Sequence, residues 1–294
     1  MIWRQCFLLL FCVISDTKLY LGLECVSRGR ALKFSMKLKF NGLFKTLACA
    51  AAFGCMSLSA ASVAEAETLR VGTEATYAPF EFANADGSLT GFDVELIRAI
   101  GKEAGYDDVE VINMPFDGLI PAIMTSQIDT IIAAMTITEE RAKRVDFSEP
   151  YYTSGLSVLI LEENAAKYPN VNALKGQALC AQIGTTGAMT AEKLSPGKVK
   201  AFNTEPEAFM ELKAKGCEGV VNDRPINLYF LSQSNASEGV TEINEILTAE
   251  KYGIAVRKGN TELLDKINAG LKTLRDNGTY DQIYQKWFKL APKD

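Results

Sequence analysis

Hydrophobic residues follow two different periods along residues 67–294. Short apolar runs typical of strands alternate with segments whose apolar residues lie three or four positions apart, which is typical of amphipathic helices. Val94, Ile97 and Ile100 form one helical stripe, and Gly105 is a stop signal. The predicted order is strand 68–74, helix 91–105, strand 109–115, helix 116–127 and strand 128–135. Such alternation predicts an α/β fold with a mainly parallel sheet.

A second cycle of the same kind follows further along the chain. Strands are predicted at 176–184 and 217–223, with a helix at 207–216 between them. Thr204 and Glu207 have the spacing of a capping box at the start of that helix. Because the order of elements occurs twice, we expect two lobes, although the sequence shows no internal repeat.

Residues 36–66 have the pattern of a secretory signal peptide. Lysines come first, an alanine-rich apolar stretch follows, and residues 64–66 have the A-x-A form of a cleavage site. A retained anchor helix is the alternative, but the apolar stretch is short and is interrupted by glycine and serine. We expect cleavage after Ala66, with Met36 as the true start and residues 1–35 as a mis-assigned upstream extension.

Removal of residues 1–66 changes the charge of the chain. The 294 residues include 31 Lys and Arg and 36 Asp and Glu, of which eight and three lie in this segment. The remainder has 23 basic and 33 acidic residues, a net charge of −10. Such a surface repels phosphate groups. We therefore expect no nucleic-acid partner and no binding to an anionic membrane surface.

Cysteine usage agrees with export. Five of the seven cysteines lie in residues 1–66, which leaves Cys180 and Cys217. An even pair in an oxidising compartment predicts a Cys180–Cys217 disulfide, and two buried thiols that act as small hydrophobic residues are the alternative. Cys49 and Cys55 lack the usual lipoprotein pattern, so we expect a periplasmic protein rather than a lipid-anchored one.

The sequence lacks the residues that most catalytic and metal sites need. It has no histidine, which excludes His-based triads and His metal sites and removes the commonest general base. The remaining cysteines have no C-x-x-C spacing, and no Walker loop or Gly-x-Gly-x-x-Gly motif opens a helix. We therefore expect a binding protein with no metal and no cofactor, not an enzyme.

One charged segment could form a site for an anion. Thr136 would lie at the carboxyl end of the strand at 128–135, the edge where open α/β folds bind ligands. Thr138 is a good N-cap for a short helix at 139–145, and Arg141 offers a planar fork of donors suited to a carboxylate. The alternative is that Arg141 belongs to a solvated charged face.

Seven motifs occur in order from about Leu69 to Phe288. They are GTEATYAPFEF (72–82), GFDVELIRAI (91–100), MPFDGLIPAI (114–123), AAMTITEERAKRVDFSEPYYTSG (133–155), IGTTG (183–187), NDRP (222–225) and LRDNGTYDQIYQKWF (274–288). Together they resemble the polar amino-acid-binding proteins of ABC importers, the periplasmic solute-binding proteins of the glutamine, histidine and arginine type. A run of seven ordered motifs is more specific than any one of them.

The resemblance implies the type II periplasmic-binding-protein fold. Two α/β lobes are joined by two hinge strands and close on the ligand like a clamp. Lobe 1 would consist of residues 67–153 and 252–294, and lobe 2 of residues 154–251. The implied ligand is a free L-amino acid, the implied partner is the membrane permease of an ABC transporter, and the implied state is a monomer.

The resemblance also implies which residues hold the two charged groups of an amino acid. Those for the α-carboxylate are Arg141, the Thr136 amide, and Thr185 or Thr186. Those for the α-ammonium are Asp223, the Thr136 hydroxyl and the Ala134 carbonyl. Both charges must be met because an unpaired charge in a closed cleft is costly.

The ligand side chain would lie between Tyr77 and Phe116, with Glu74 at its far end. Aromatic faces and a carboxylate favour a cation, so we expect arginine first, then lysine or ornithine. Glutamine is the alternative, because the sequence as a whole looks closest to the glutamine-binding members of the family. Gln182, however, stands where that subgroup would have lysine. Without the resemblance, the two rings would be core residues and Glu74 an exposed residue at a strand end.

Two further classes share this fold. A secreted cyclohexadienyl (prephenate/arogenate) dehydratase would use a carboxylate in the cleft as general acid or base. The pairing of Glu74 with Asp223 disfavours such a dianionic substrate, which lacks an α-ammonium in one of its forms. We also do not expect the ligand domain of a membrane sensor, since no transmembrane segment follows residue 294.

Overall fold

The structure is a computed structural model and describes residues 7–15, 18–27, 30–39 and 67–289. The chain divides between residues 64 and 65 into two compact units. In the first unit an antiparallel sheet has the order β1 (Phe7–Ser15), β2 (Lys18–Ser27), β3 (Arg30–Lys39). The predicted cleavage site, Cys49 and Cys55 lie outside the described residues, and the predicted extension and signal peptide stay predictions.

The second unit alternates strands and helices. Its strands are β4 (Thr68–Thr73), β5 (Thr76–Tyr77), β6 (Glu81–Ala83), β7 (Leu89–Thr90), β8 (Asp108–Asn113), β9 (Thr130–Ile131), β10 (Val145–Phe147), β11 (Tyr152–Ser154), β12 (Leu156–Leu161), β13 (Leu179–Gln182), β14 (Val199–Phe202), β15 (Gly219–Asp223), β16 (Val240–Ile243), β17 (Glu250–Tyr252) and β18 (Ala255–Arg257). Its α-helices are α1 (Phe92–Glu103), α2 (Phe116–Met124), α3 (Glu139–Ala142), α4 (Thr186–Leu194), α5 (Glu205–Lys213), α6 (Arg224–Ser232), α7 (Thr261–Asp276) and α8 (Thr279–Phe288).

Two five-stranded sheets have the same arrangement. The first has the order β8-β4-β9-β18-β10, and the second has the order β14-β13-β15-β12-β16. In each sheet four strands run in one direction, and the fourth strand in the order, β18 or β12, is antiparallel to both of its neighbours. The predicted two-lobe α/β fold is confirmed, with mixed sheets because one strand in each is reversed.

A two-stranded ribbon joins the two sheets. β11 pairs antiparallel with β17, with Ser154 opposite Glu250 and Tyr152 opposite Tyr252. Each strand of the ribbon leads into the reversed strand of one sheet, β11 into β12 and β17 into β18. The predicted lobe boundaries at 153/154 and 251/252 fall within this ribbon and remain a proposal.

The predicted helix at 91–105 forms as α1. Its apolar stripe, including Val94, Ile97 and Ile100, is fully buried. At its start the Phe92 ring lies edge-on to Phe288 of α8, 5.2 Å between ring centroids. Burial of this stripe, rather than helix propensity, supplies most of the stability of such a helix.

Two predicted elements are shorter than the sequence indicates. The strand predicted at 128–135 is reduced to β9. Ala134 has a left-handed φ of 44°, and its amide donates to Asp93 Oδ2 at 2.8 Å rather than to a neighbouring strand. The helix predicted at 139–145 ends at Ala142, because Val145 begins β10. No helix within residues 67–289 is long and apolar enough to cross a bilayer.

The Cys180–Cys217 disulfide is present, so the buried-thiol alternative is wrong. It closes a loop with a sequence separation of 37. A Cys180→Ala/Cys217→Ala variant is therefore expected to lower the free energy of unfolding by about 3 kcal/mol, since the bond restricts the unfolded chain. Urea denaturation of both proteins measures the difference. As a control, most of it should vanish in reductant; equal stability of oxidised and reduced wild-type protein would contradict a stabilising bond.

Candidate functional site

One cleft brings all the predicted site residues together. Its empty space is about 290 Å³ including open solvent, of which about 10 Å³ can hold the centre of a water-sized molecule. Its walls follow the carboxyl ends of β4, β9, β13 and β15, as open α/β folds require. The predicted residues in its lining are Glu74, Tyr77, Phe116, Ala134, Thr136, Arg141, Gln182, Thr185, Thr186 and Asp223. Glu81 and Ala133 also line it and were not predicted.

Arg141 points into the cleft and is only 6% exposed. Its Nη1 donates to the Thr136 carbonyl at 2.6 Å and its Nη2 to the Gly184 carbonyl at 3.0 Å, so it spans both lobes. Thr138 caps α3, as predicted, by accepting from the Arg141 amide. Burial lowers the pKa of the guanidinium, and none of the ion pairs between described residues involves it. The solvated-face alternative is therefore wrong.

The hydroxyls of the two lobe 2 threonines are already used. Thr185 Oγ1 donates to the Gln182 carbonyl at 2.7 Å, and Thr186 Oγ1 donates to Glu250 at 2.9 Å. Neither has a proton left for a ligand carboxylate. The amides of Thr186 and Gly187 open α4 and have no intrahelical acceptor, as at every helix start. An anion would therefore meet these amides beside Arg141.

Asp223 provides a buried acceptor on lobe 2, 5% exposed. Its Oδ2 accepts from the Tyr77 hydroxyl at 2.6 Å, and its Oδ1 accepts from Ser154 Oγ at 3.3 Å. Burial raises the pKa of this carboxyl to about 6, and the nearby charge of Glu250 adds to the increase. No ion pair between described residues includes Asp223, so a ligand ammonium would supply the missing charge.

Glu74 lines the cleft and is only 4% exposed, so the exposed-strand-end alternative is wrong. It accepts hydrogen bonds from the Thr76 hydroxyl and from Gln182 Nε2, the latter at 3.2 Å. Burial raises its pKa. Glu205, which the sequence did not predict, adds a second buried carboxyl whose pKa is well above normal because of burial and the charge of Glu74.

Tyr77 and Phe116 are the two aromatic residues in the described lining of the cleft. Tyr77 is 5% exposed, and besides lining the cleft it packs in the core of the unit. Phe116 begins α2 and is half-buried, and its ring centroid lies 5.4 Å from the Arg141 guanidinium carbon. The core-packing alternative therefore holds in part for both residues, since Phe116 also packs against a core cluster and both residues line the cleft.

Comparisons with known proteins decide the family. The profile described as "Bacterial extracellular solute-binding proteins, family 3" matches residues 69–290. The chain belongs to this family. It is 37% identical to the L-arginine-binding protein of Pseudomonas aeruginosa over 256 residues, which cover 84% of this chain and 97% of that one.

Two solved structures agree with this assignment. An ancestral arginine-binding protein bound to arginine matches this solute-binding protein with a TM-score of 0.71 and 46% identity, and it covers 75% of this chain and 98% of that one. An ancestral arginine-binding protein bound to glutamine matches with a TM-score of 0.71 and 47% identity, over 75% and 97%. Family members are extracytoplasmic proteins that bind amino acids for ABC importers.

Two buried carboxyl groups of this solute-binding protein were not predicted from the sequence: Glu81, which lines the cleft, and Asp93, which does not. Asp93 Oδ2 accepts from the Ala134 amide and from the Tyr151 hydroxyl at 2.6 Å. Burial raises the pKa of Asp93 to about 6, and burial together with Asp93 raises that of Glu81 well above normal. The only sign of Glu81 in the sequence is its place between two phenylalanines at 80 and 82.

Charges in the lining are unequal. Arg141 is the only cation in the described lining, whereas Glu74, Glu81 and Asp223 are carboxyl groups. Because these carboxyl groups outnumber the guanidinium, a cationic amino acid would meet more opposite charge in the lining than a neutral zwitterion would.

Proposed function

We propose that this protein is a periplasmic receptor that captures L-arginine and presents it to the membrane permease of an ABC importer. Glu74 carries the proposal, because it is a buried carboxylate without a cationic partner among the described residues. An unpaired buried charge is costly, and a guanidinium would remove that cost. Lysine and ornithine carry the same charge, but their ammonium group lacks the planar donors of a guanidinium. We therefore expect both to bind more weakly than arginine.

The proposed pose gives each charged group of arginine an opposite charge. The α-carboxylate would contact the Arg141 guanidinium, the Thr136 amide and the first amides of α4. The α-ammonium would contact Asp223, the Thr136 hydroxyl and the Ala134 carbonyl. The stem would pass between Tyr77 and Phe116, and the guanidinium would reach Glu74 with planar donors that match a carboxylate.

Glutamine is the second candidate for this cleft. It is supported by the ancestral relative that was solved with glutamine. The Gln182 amide already donates to Glu74, and the raised pKa of Glu74 lowers the cost of neutralising it beside an uncharged ligand. We do not propose a dehydratase, since the family and the relatives described above are binding proteins.

Competition binding tests the proposed ligand. The purified protein is equilibrated with radiolabelled L-arginine, and unlabelled lysine, ornithine, glutamine and glutamate compete for the cleft. We expect arginine to compete best, lysine and ornithine next, and glutamate not at all because its side chain would face Glu74. Stronger competition by glutamine than by arginine would favour the second candidate.

Binding is also expected to weaken in mild acid. Since the pKa of Asp223 in the ligand-free protein is about 6, about one carboxyl in ten is ionised at pH 5, and only the ionised form attracts an α-ammonium. Affinity for arginine should therefore fall about tenfold between pH 7.5 and pH 5. Calorimetric titration at both values measures the fall.

Glutamine is the control for that experiment. It shares the α-ammonium but has no charge for Glu74, whose pKa is also raised. A similar fall for glutamine, where binding is measurable, assigns the effect to Asp223, whereas a fall for arginine alone would assign it to Glu74. Affinities that do not change with pH would contradict both roles.

A further inference from the structure

Glu250 lies in the ribbon between the lobes and accepts hydrogen bonds from residues on both sides of the cleft. Its Oε2 accepts from Thr136 Oγ1 at 2.6 Å and from Thr186 Oγ1 at 2.9 Å. Its Oε1 accepts from Thr248 Oγ1 at 3.1 Å. The side chain is only 6% exposed. Both carboxylate oxygens therefore accept hydrogen bonds from hydroxyl groups.

The direction of these bonds fixes what the two cleft threonines can offer a ligand. A hydroxyl has one proton and two lone pairs. Thr136 and Thr186 direct their protons to Glu250, so only lone pairs remain on the side that lines the cleft. Lone pairs attract an N–H donor and repel a carboxylate. The two hydroxyls thus extend the acceptor surface of Asp223 and contrast with the donors of Arg141.

We propose that Glu250 is a positioning residue that sets the hydroxyl protons of Thr136 and Thr186 and thereby makes the cleft select ligands with an α-ammonium. This inference rests on the proposed function, since it concerns recognition of an amino acid. Glu250 does not line the cleft itself and acts through the two threonines. The sequence gives no sign of this role, because the residue stands in an ordinary polar stretch, TAEKY (248–252).

The substitution Glu250→Gln would keep the shape of the side chain and reverse part of this arrangement. Its amide has one acceptor atom and one donor atom. When the donor faces Thr136 or Thr186, that hydroxyl must accept, and its proton turns toward the cleft. An α-ammonium then meets a donor where it needs an acceptor, whereas a ligand without that group is unaffected.

The test compares arginine with its deaminated analogue, 5-guanidinopentanoate, in wild-type protein and in Glu250→Gln. The affinity for arginine should fall about tenfold, the typical effect of one charge-assisted hydrogen bond, while the affinity for the analogue stays constant or rises. The matched control is Glu242→Gln, which replaces a partly buried lobe 2 glutamate paired with Arg224 and should leave the ratio of the two affinities unchanged. Equal losses for both ligands, or no loss, would overturn the proposal.

A double-mutant cycle with Thr136→Val gives a second measurement. If Glu250 acts through the threonines, the combined variant should lose less arginine affinity than the product of the two single losses. Independent effects would overturn the proposal. Should Glu250→Gln not fold, as judged by circular dichroism, Thr136→Val alone must weaken arginine more than the analogue, and equal weakening would overturn it.

The same measurements separate this inference from the proposed function. If wild-type protein binds glutamine but not arginine, the proposed ligand is wrong, and the comparison is made instead with glutamine and its deaminated analogue glutaramate, with the same expected ratio. If wild-type protein binds arginine and the ratio does not change in Glu250→Gln, only the role of Glu250 is wrong. Binding of no amino acid would overturn both.

Discussion

Arg141→Ala is expected to lower the affinity for arginine and for glutamine by about a hundredfold or more. The guanidinium is buried, has no carboxylate partner among the described residues, and is fixed by two carbonyls from opposite lobes. Its removal would leave a ligand α-carboxylate in a closed cleft without a countercharge, a loss that typically costs about 2–5 kcal/mol. Because every α-amino acid has this carboxylate, both ligands should suffer alike. Calorimetric titration measures the two affinities.

Two further variants sharpen that result. Arg141→Lys keeps the charge but loses the planar fork, so an intermediate loss is expected. Arg144→Ala is the matched control, since Arg144 is an exposed arginine just beyond the same helix, and it should bind like wild-type protein. Arginine affinity in Arg141→Ala within about threefold of wild type would show that another group holds the carboxylate.

Glu74→Gln is expected to separate the two candidate ligands. Arginine should lose about thirtyfold or more in affinity, because the buried guanidinium of the ligand would lose the countercharge that Glu74 supplies. Glutamine should change by no more than about threefold, because a neutral amide can bond either side chain. The relevant quantity is the ratio of the two affinities, measured by calorimetry on both proteins.

The control for this variant is Glu110→Gln. Glu110 is an exposed acid on β8, so its replacement changes the net charge equally without touching the cleft. Its affinity ratio should equal that of wild-type protein, which excludes a general electrostatic effect. Equal losses of arginine and glutamine in Glu74→Gln would refute the proposed basis for selectivity.

Local patterns predicted the framework of the fold. The apolar stripe of α1 identified a helix whose buried face the structure confirms. Thr204 and Glu207 form the predicted capping box, with the Thr204 amide donating to Glu207 at 3.0 Å. Such features depend on neighbours within four residues, and the chemistry of those neighbours is visible in the sequence.

Features that depend on distant residues were missed. The strand predicted at 128–135 breaks off because Asp93, about forty positions away, holds the Ala134 amide. Helices α4 and α6 were not predicted. The reversed direction of β12 and β18 was not predicted either, because it depends on where the chain crosses from one lobe to the other. Periodicity carries no information about such tertiary partners.

The residues in and around the cleft could likewise be predicted only in part from the sequence. Eight of the ten predicted residues of the cleft came from motif resemblance alone, whereas Thr136 and Arg141 also followed from strand position and side-chain chemistry, and all ten line one space. The buried acids around the cleft, such as Glu205 and Glu250, were not predicted because they belong to no recognised motif. Their chemistry depends on burial, and a sequence of ordinary polar residues does not show which glutamates are enclosed.

A crystal structure of the protein with bound L-arginine tests the central claim most directly. We expect the ligand α-carboxylate on the Arg141 guanidinium, its α-ammonium on Asp223 and its guanidinium on Glu74. Arginine in the cleft with residue 141 turned outward into solvent would contradict it.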